Sequence, residues 1–475
     1  MCRALAICFG RPFPVTCDAG SKADRLIIAG FLLVILFFAR STQLTAQVSV
    51  RPAPALGFED RIAAYVDTVR IVDCHEHLAD PRFVRYLSFL DFMLLLHQFN
   101  YNDLISAGLP KRHFDRLFTQ RTTPVTKWDL IEPYWQTSFN TSYNRISIIA
   151  AQRIYNVDDI NRRTVDTLSR RIARAYQDPD WTNRVLKDMS GIDYIIQDGD
   201  EILTDIDNVL YVKRFTEWLS VRSRGRIDSL ARRQGNPIGT LEEFVASMEN
   251  EFMVALKRGI VGVKINMAYY RTLHVDNVSI DEARRVFRSL RNGGDRYVLT
   301  WQEAKPLQDY MFLELVKLSR DNRMPVVIHT GLQSGNGNIL ENSNPLLLAN
   351  IFLRFPEVRF GLFHGSYPFG GEVSSLAKNF PNVYIDLNWM YAISPSYSER
   401  YLNEWLETVP VGKIMGFGGD SRIAENVYGG VEVAREIITN VLVEKVRDGY
   451  FSEQEAITVA RMILRDNAIK FYNIR

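Results

Sequence analysis

From Gly191 to the C-terminus, short apolar runs alternate with amphipathic stretches. The runs cover Asp193 to Gln197, Val209 to Lys213, Ile260 to Ile265, Pro325 to His329, Val358 to His364, Val383 to Leu387 and Ile414 to Gly418. With Ile71 to Cys74 they predict eight buried strands. The stretches between them carry helix signals. Thr240-x-x-Glu243, Ser279-x-x-Glu282 and Ser452-x-x-Glu455 have the form of capping boxes, and Gly259 and Gly449 stand where helices should stop. Eight strands separated by helices predict an α/β chain folded as a (β/α)8 TIM barrel. An open doubly wound sheet is the alternative, but no Gly-x-Gly-x-x-Gly follows an early strand.

Residues 82–187 break this rhythm. The stretch is long, aromatic and helical in period, with little strand character, and includes Phe92, Trp128, Tyr134, Trp135, Tyr143 and Tyr155. Loops that follow barrel strands carry function, so it is expected to be a helical insertion after strand 1 that roofs the site. Most of its aromatics are expected to be packing. His97 and His113 lie in it without ligand-like spacing and read as surface or core histidines. Arg51 to Val69 reads as a lead-in helix.

The N-terminus has a different pattern. Lys22 and Arg25 precede the apolar run Leu26 to Ala39, and Leu44-Thr45-Ala46-Gln47 offers a small-residue cleavage site. This predicts a signal peptide over residues 1–46, an exported mature chain over 47–475, and a periplasmic or secreted location. The run is short for a membrane span, although Arg40 behind it keeps an N-terminal anchor as the alternative. Cys2, Cys8 and Cys17 fall in the leader, so only Cys74 remains and no intramolecular disulfide is expected. The leader also holds five of the 57 basic and two of the 55 acidic residues, which leaves the remainder close to neutral. No basic footprint for nucleic acid is present. Arg170-Arg171, Arg232-Arg233 and Arg284-Arg285 read as solvated helix faces. A 47% apolar and 24% charged composition is that of a globular chain able to bury a large core.

Chemistry enters with the polar residues at the strand ends. Strand 1 ends in His75-Glu76-His77, and alternation puts both imidazoles on one side, which is half of a typical four-ligand metal site. A His-x-His arises by accident roughly once in ten chains with this histidine content. The other strand ends supply the context: Lys264 on strand 4, His329 after strand 5, His364 after strand 6 and Asp420 after strand 8. A lone histidine ending a buried strand is usually structural; four histidines and an aspartate on one rim are not explained by packing. His274 falls well past strand 4 and reads as loop.

The set Val72-Asp73-Cys74-His75-Glu76-His77, Gly262-Val263-Lys264-Ile265 with Ala268-Tyr269-Tyr270-Arg271, Pro325-Val326-Val327-Ile328-His329-Thr330-Gly331, His364-Gly365-Ser366-Tyr367-Pro368-Phe369, Gly419-Asp420-Ser421 and Ile463-Leu464-Arg465-Asp466-Asn467-Ala468 resembles the amidohydrolase superfamily. The similarity is to its amidohydrolase-related branch, which includes the N-terminal domain of nodulin-type proteins fused to glutamine synthetase. It spans about residues 65–475 and departs in the region after strand 1, where no family motif is recognised.

The resemblance implies that His75, His77, His329 and Asp420 hold a divalent metal, with zinc the expected ion, and that its bound water is activated. Asp420 would be the base. His364 would polarise a carbonyl or join a second metal site. Arg271 would bind a substrate carboxylate, with an exposed salt bridge as the equal alternative, and Lys264 would also bind one unless it is carboxylated and bridges two ions. One metal is expected, with two as the alternative. The implied activity is an exported metal-dependent hydrolase of a small amide, lactone or related carbonyl substrate, one that can carry a carboxylate. A non-oxidative decarboxylase or a uronate-type isomerase on the same scaffold is the alternative, as is a non-catalytic binding barrel at the cell surface. A homo-oligomer is compatible with all of these.

Overall fold

A computed structural model of the protein describes residues 56–474, apart from 86, 88–89, 120–121, 200–201 and 295. The expected leader therefore lies outside the described residues. All eight predicted strands form: β1 (Ile71–Glu76), β2 (Ile192–Asp198), β3 (Val209–Arg214), β4 (Gly262–Ile265), β5 (Val326–Ile328), β6 (Phe360–Leu362), β7 (Val383–Asp386) and β8 (Ile414–Met415). They pair in parallel in chain order. The segment after β8 returns to β1: Cys74 N donates to Phe417 O (3.0 Å), Asp420 N to His75 O (2.8 Å) and His77 N to Ser421 O (3.0 Å). These bonds close the barrel and bring the residues that follow β8 against the histidines of β1.

Alternation assigns the faces. On β4, β5 and β6, Val263, Ile265, Val326, Ile328, Phe360 and Leu362 pack outward against the helices in the main core. Val72, Cys74, Ile196, Val212, Val327 and Met415 fill the interior, and Phe471 and Tyr472 of the last helix (Asn467–Tyr472) pack beneath them. The β1–β2 register shifts between Asp73 and Glu76, which lets His75 join Cys74 on the interior side. The three expected capping boxes are present, with a fourth at Thr300 and Glu303. Gly259 (φ 83°) and Gly449 (φ 71°) end their helices in the left-handed conformation. One expected element differs. Among the described residues of 199–208 no helix separates β2 from β3.

Helices from Pro81 to Met189 fill the β1–β2 connection. They build a core of their own around Phe92, Leu95, Leu104, Trp128, Ile131, Leu168 and Ile172, with Ile423 of the barrel packed into it. Phe92, Trp128, Trp135 and Tyr155 are buried there. No helix among the described residues is long and apolar enough to cross a membrane.

Candidate metal centre

The C-terminal ends of β1, β2, β3, β4 and β8 converge on one point. His75, His77 and Asp198 present ligand atoms that all lie within 4.8 Å of one another. Asp420 Oδ1 stands 3.4 Å from His75 Nε2 and 3.3 Å from His77 Nε2, while Asp198 Oδ2 is 4.0 Å from each. The His77 tautomer follows from its surroundings: Nδ1 lies 3.1 Å from the Asp198 carbonyl and donates to it, so Nε2 turns a lone pair toward the carboxylates. Burial, joined by the nearby Lys264 charge, holds His75 well below the ordinary imidazole pKa. Burial also lowers His77 to about 4, against the pull of Asp198. Both rings are therefore neutral at neutral pH, as ligands must be. Burial pushes Asp420 up to about 8, with Lys264 opposing. Two neutral imidazoles and a carboxylate that is costly to ionise alone make a donor set suited to a divalent cation.

A layer of charge lies beneath. Arg214 Nε and Nη2 hold the two Asp198 oxygens at 2.6 Å each. Burial would raise Asp198, yet Arg214 and Lys264 outweigh it and keep the carboxyl below its ordinary value. Lys264 Nζ lies 3.7 Å from Asp198 Oδ2, 3.5 Å from His75 Nε2 and 3.8 Å from the Phe363 ring centre. Burial lowers its pKa to about 8, and Asp198 limits the fall. An unmodified Lys264 thus has the acidic partner that a buried ammonium needs.

The other expected residues are placed differently. His329 stands beyond β5 with Nδ1 2.8 Å from His364 Nε2 and Nε2 3.0 Å from the Leu332 carbonyl. Its ring is turned to His364, so it meets the cluster through that residue, and Asp198 is the second carboxylate near the two histidines. His364 Nδ1 lies 4.0 Å from Asp420 Oδ2. Arg271, expected at a substrate carboxylate, is instead buried and bound to Asp309 at 2.7 Å, with Lys305 and Asp276 completing the network. The physical reason is an internal counter-ion: Asp309 on the helix Trp301–Asp321 takes its guanidinium. His274 pairs with Asp276 at the surface, and His97 packs on Phe118 inside the insertion.

Asp198 and Arg214 were not singled out from the sequence. Each directly follows an apolar run, Asp193 to Gln197 or Val209 to Lys213, and a run's polar successor is the signal that finds them. Trp389 is another. It stacks on Phe99 (4.7 Å) and meets the His364 ring edge-on (5.1 Å). Backbone strain marks the same rim, since His364 (φ 65°), Ser366 (φ 52°), Trp389 (φ 60°) and Asp420 (φ 51°) are all left-handed. Each such residue costs about 1–3 kcal/mol and persists only where its surroundings enforce it.

Residues 227–474, more than half of the chain, match the amidohydrolase family model Amidohydro_2. The chain belongs to the amidohydrolase family. It is 31% identical over 224 residues to Protein fluG of Emericella nidulans, a match that covers 45% of this chain and 26% of that protein. It is 22% identical over 271 residues to the uronate isomerase of Nostoc punctiforme, covering 53% and 56%. The chain thus spans between a quarter and about half of the length of these curated relatives. In structure, this amidohydrolase superposes on the uronate isomerase of Thermotoga maritima with a TM-score of 0.71 at 17% identity, over 87% of this chain and 97% of that one. That likeness concerns the fold.

Proposed function

We propose that this amidohydrolase is a metal-dependent isomerase that interconverts the aldose and ketose forms of a uronate-type sugar acid. The observation that supports this above hydrolysis is the fold correspondence over nearly all of a uronate isomerase, joined to a cluster in which one proton-accepting carboxylate faces fixed cations. A single divalent metal, zinc in this reading, would be held by His75, His77 and Asp420 and would polarise the substrate carbonyl.

The chain's own groups do the rest. Asp420 Oδ1 faces the two histidines and leaves Oδ2 on the His364 side. In the proposed reaction Oδ2 takes the proton from the carbon beside the carbonyl and returns it to the former carbonyl carbon. The hydroxyl proton of that neighbouring carbon moves in the same sense, to the former carbonyl oxygen, with His364 the adjacent group, so no water is consumed and no carbon–carbon bond breaks. Arg214, about a third exposed beside His77, is the cation that the sugar-acid carboxylate would meet.

The test supplies zinc-loaded protein with D-glucuronate and D-galacturonate and follows ketose formation by proton NMR. Ketose that disappears on chelation supports the reading. Release of acid from N-acyl amino acids or lactones, with no ketose, returns the site to hydrolysis, for which the same carboxylate would act on water. Export belongs to the same proposal: the apolar run Leu26–Ala39 and the small residue Ala46 support cleavage that would leave a mature N-terminus near Gln47. Mass spectrometry that finds Leu26–Ala39 intact in the extracytoplasmic protein would overturn it.

A further inference from the structure

We infer that Gln98, in the helical region between β1 and β2, is the positioning residue that holds Asp420 in its ligand geometry; the inference rests on the reading of Asp420 as the metal-facing carboxylate. Asp420 has φ 51°, a left-handed conformation uncommon for residues other than glycine, although aspartate enters it more readily than most. With that backbone its carboxylate stands 3.4 Å from His75 and 3.3 Å from His77, so the contacts that hold the backbone also hold the carboxylate. Three consecutive peptide groups are pinned. Asp420 N donates to His75 O at 2.8 Å. Ser421 N donates to Glu76 Oε2 at 2.6 Å. Gln98 spans the outer side: its Nε2 donates to Asp420 O at 2.5 Å and its Oε1 accepts from Arg422 N at 2.6 Å.

The carboxamide therefore takes the place of a neighbouring peptide. It satisfies the carbonyl on one side of Ser421 and the N–H on the other, with the donor and the acceptor that a carboxamide carries side by side on one planar head. Asn is a methylene shorter. The two bonds also tie the insertion to the metal centre, because Gln98 follows the short turn Phe92–Leu94 that is buried in the insertion's own core. Partners that orient a ligand from outside its first contacts typically govern metal affinity by 10–100-fold.

The test uses full-length protein and two variants. Gln98→Met keeps length and bulk and removes both bonds; Gln98→Glu keeps the acceptor for Arg422 N and loses the donor to Asp420 O. In metal-free protein, amide exchange at residues 420–422 is expected to quicken about tenfold or more in Gln98→Met. Zinc affinity, read by chelator competition, should fall roughly 10–100-fold, and Gln98→Glu should lie between this variant and wild type. A purely structural role would lower the melting temperature without selective exchange at 420–422. Should Gln98→Met not fold, Gln98→Glu carries the same comparison. Unchanged exchange at Arg422 together with an unchanged zinc dissociation constant overturns the inference whatever the substrate. Lack of isomerase activity in the wild type overturns the functional reading alone.

Discussion

Asp420 is asked to touch both histidines, to ionise in a dry site and to carry a proton, and these demands can be separated by substitution. Asp420→Asn keeps size and hydrogen bonding but removes the charge. Turnover is expected to fall about 100-fold or more, the usual contribution of a positioned base, with substrate KM changed far less. Steady-state kinetics on the metal-loaded variant decide it, and near-normal turnover would move the base role to His364. Lys264 is a second case. Because Asp198 already neutralises it at 3.7 Å, it needs no carboxylation, and Lys264→Met should retain one metal per chain, as in wild type. Two metals in wild type with one lost in Lys264→Met, measured by elemental analysis, would reverse that. Asp198→Asn should be harsher, since it strips Lys264 and Arg214 of their shared partner. Breaking such a buried pair costs about 3–5 kcal/mol, read by denaturant titration. At this scale the sequence made His75, His77, Lys264, His364 and Asp420 visible, because Lys264 interrupts an apolar run and the others stand at or just past the end of one. For Arg271 it left a substrate carboxylate and a salt bridge both open, since nothing local to residue 271 announces that Asp309, on another helix, will take its guanidinium.

The helical insertion shows what can be read within an element and what cannot. Its helical character and the burial of its aromatics follow from composition and period. Its attachment does not. Tyr155 and Tyr176 donate to Glu425 at 2.6 and 3.0 Å, and the Trp181 indole N–H donates at 3.0 Å, all across some 250 residues of sequence. Glu425 is fully buried in the first turn of the helix Ala424–Arg447, immediately after the segment that carries Asp420. Three aromatic donors that look like packing residues are thus the counter-groups of one carboxylate. Glu425→Ala should leave two buried hydroxyls unsatisfied, at about 1–3 kcal/mol each before relaxation, and a part-buried indole N–H without its acceptor. A loss of several kcal/mol is expected on denaturant unfolding, together with faster proteolysis of the insertion. A change within experimental error would mean that the clasp contributes nothing net. Capping boxes were legible for the opposite reason: donor and acceptor sit three residues apart, so Thr240, Ser279 and Ser452 announce their helices locally.

For the whole molecule, barrel closure concentrates buried acids around one axis, and this sets how stability depends on pH. Burial raises Asp386 at the end of β7 to about 8, with the Asn388 amide opposing, and raises Asp420 to about 8. Glu76 lies well above its ordinary value, mainly through burial and then through its neighbour Asp73. In the unfolded chain these carboxyls lose their protons near pH 4. Between there and pH 8 the folded protein holds more protons than the unfolded one, so these groups contribute stability at low pH that is lost as pH rises toward 8. The buried histidines act in the other direction, because their folded values lie below 6.5 and the unfolded chain takes up protons as pH falls through that value. The histidine titration of the unfolded chain is half complete at pH 6.5 and nearly complete about one unit above it, and through this interval the carboxyls outweigh what remains. Metal-free protein should therefore lose stability from pH 6.5 to 8, by at most about 1.4 kcal/mol per pH unit for each titrating group. A cation beside Asp420 would favour its ionised form, so the gap between metal-loaded and chelated melting temperatures should widen over the same interval. Asp386→Asn removes one of the titrating groups away from the metal-facing residues and should flatten the metal-free slope. Calorimetry at pH 6.5, 7.2 and 8 with and without chelator tests each part, and a metal-free stability that rises across this interval would show that these carboxyls are already ionised in the folded barrel.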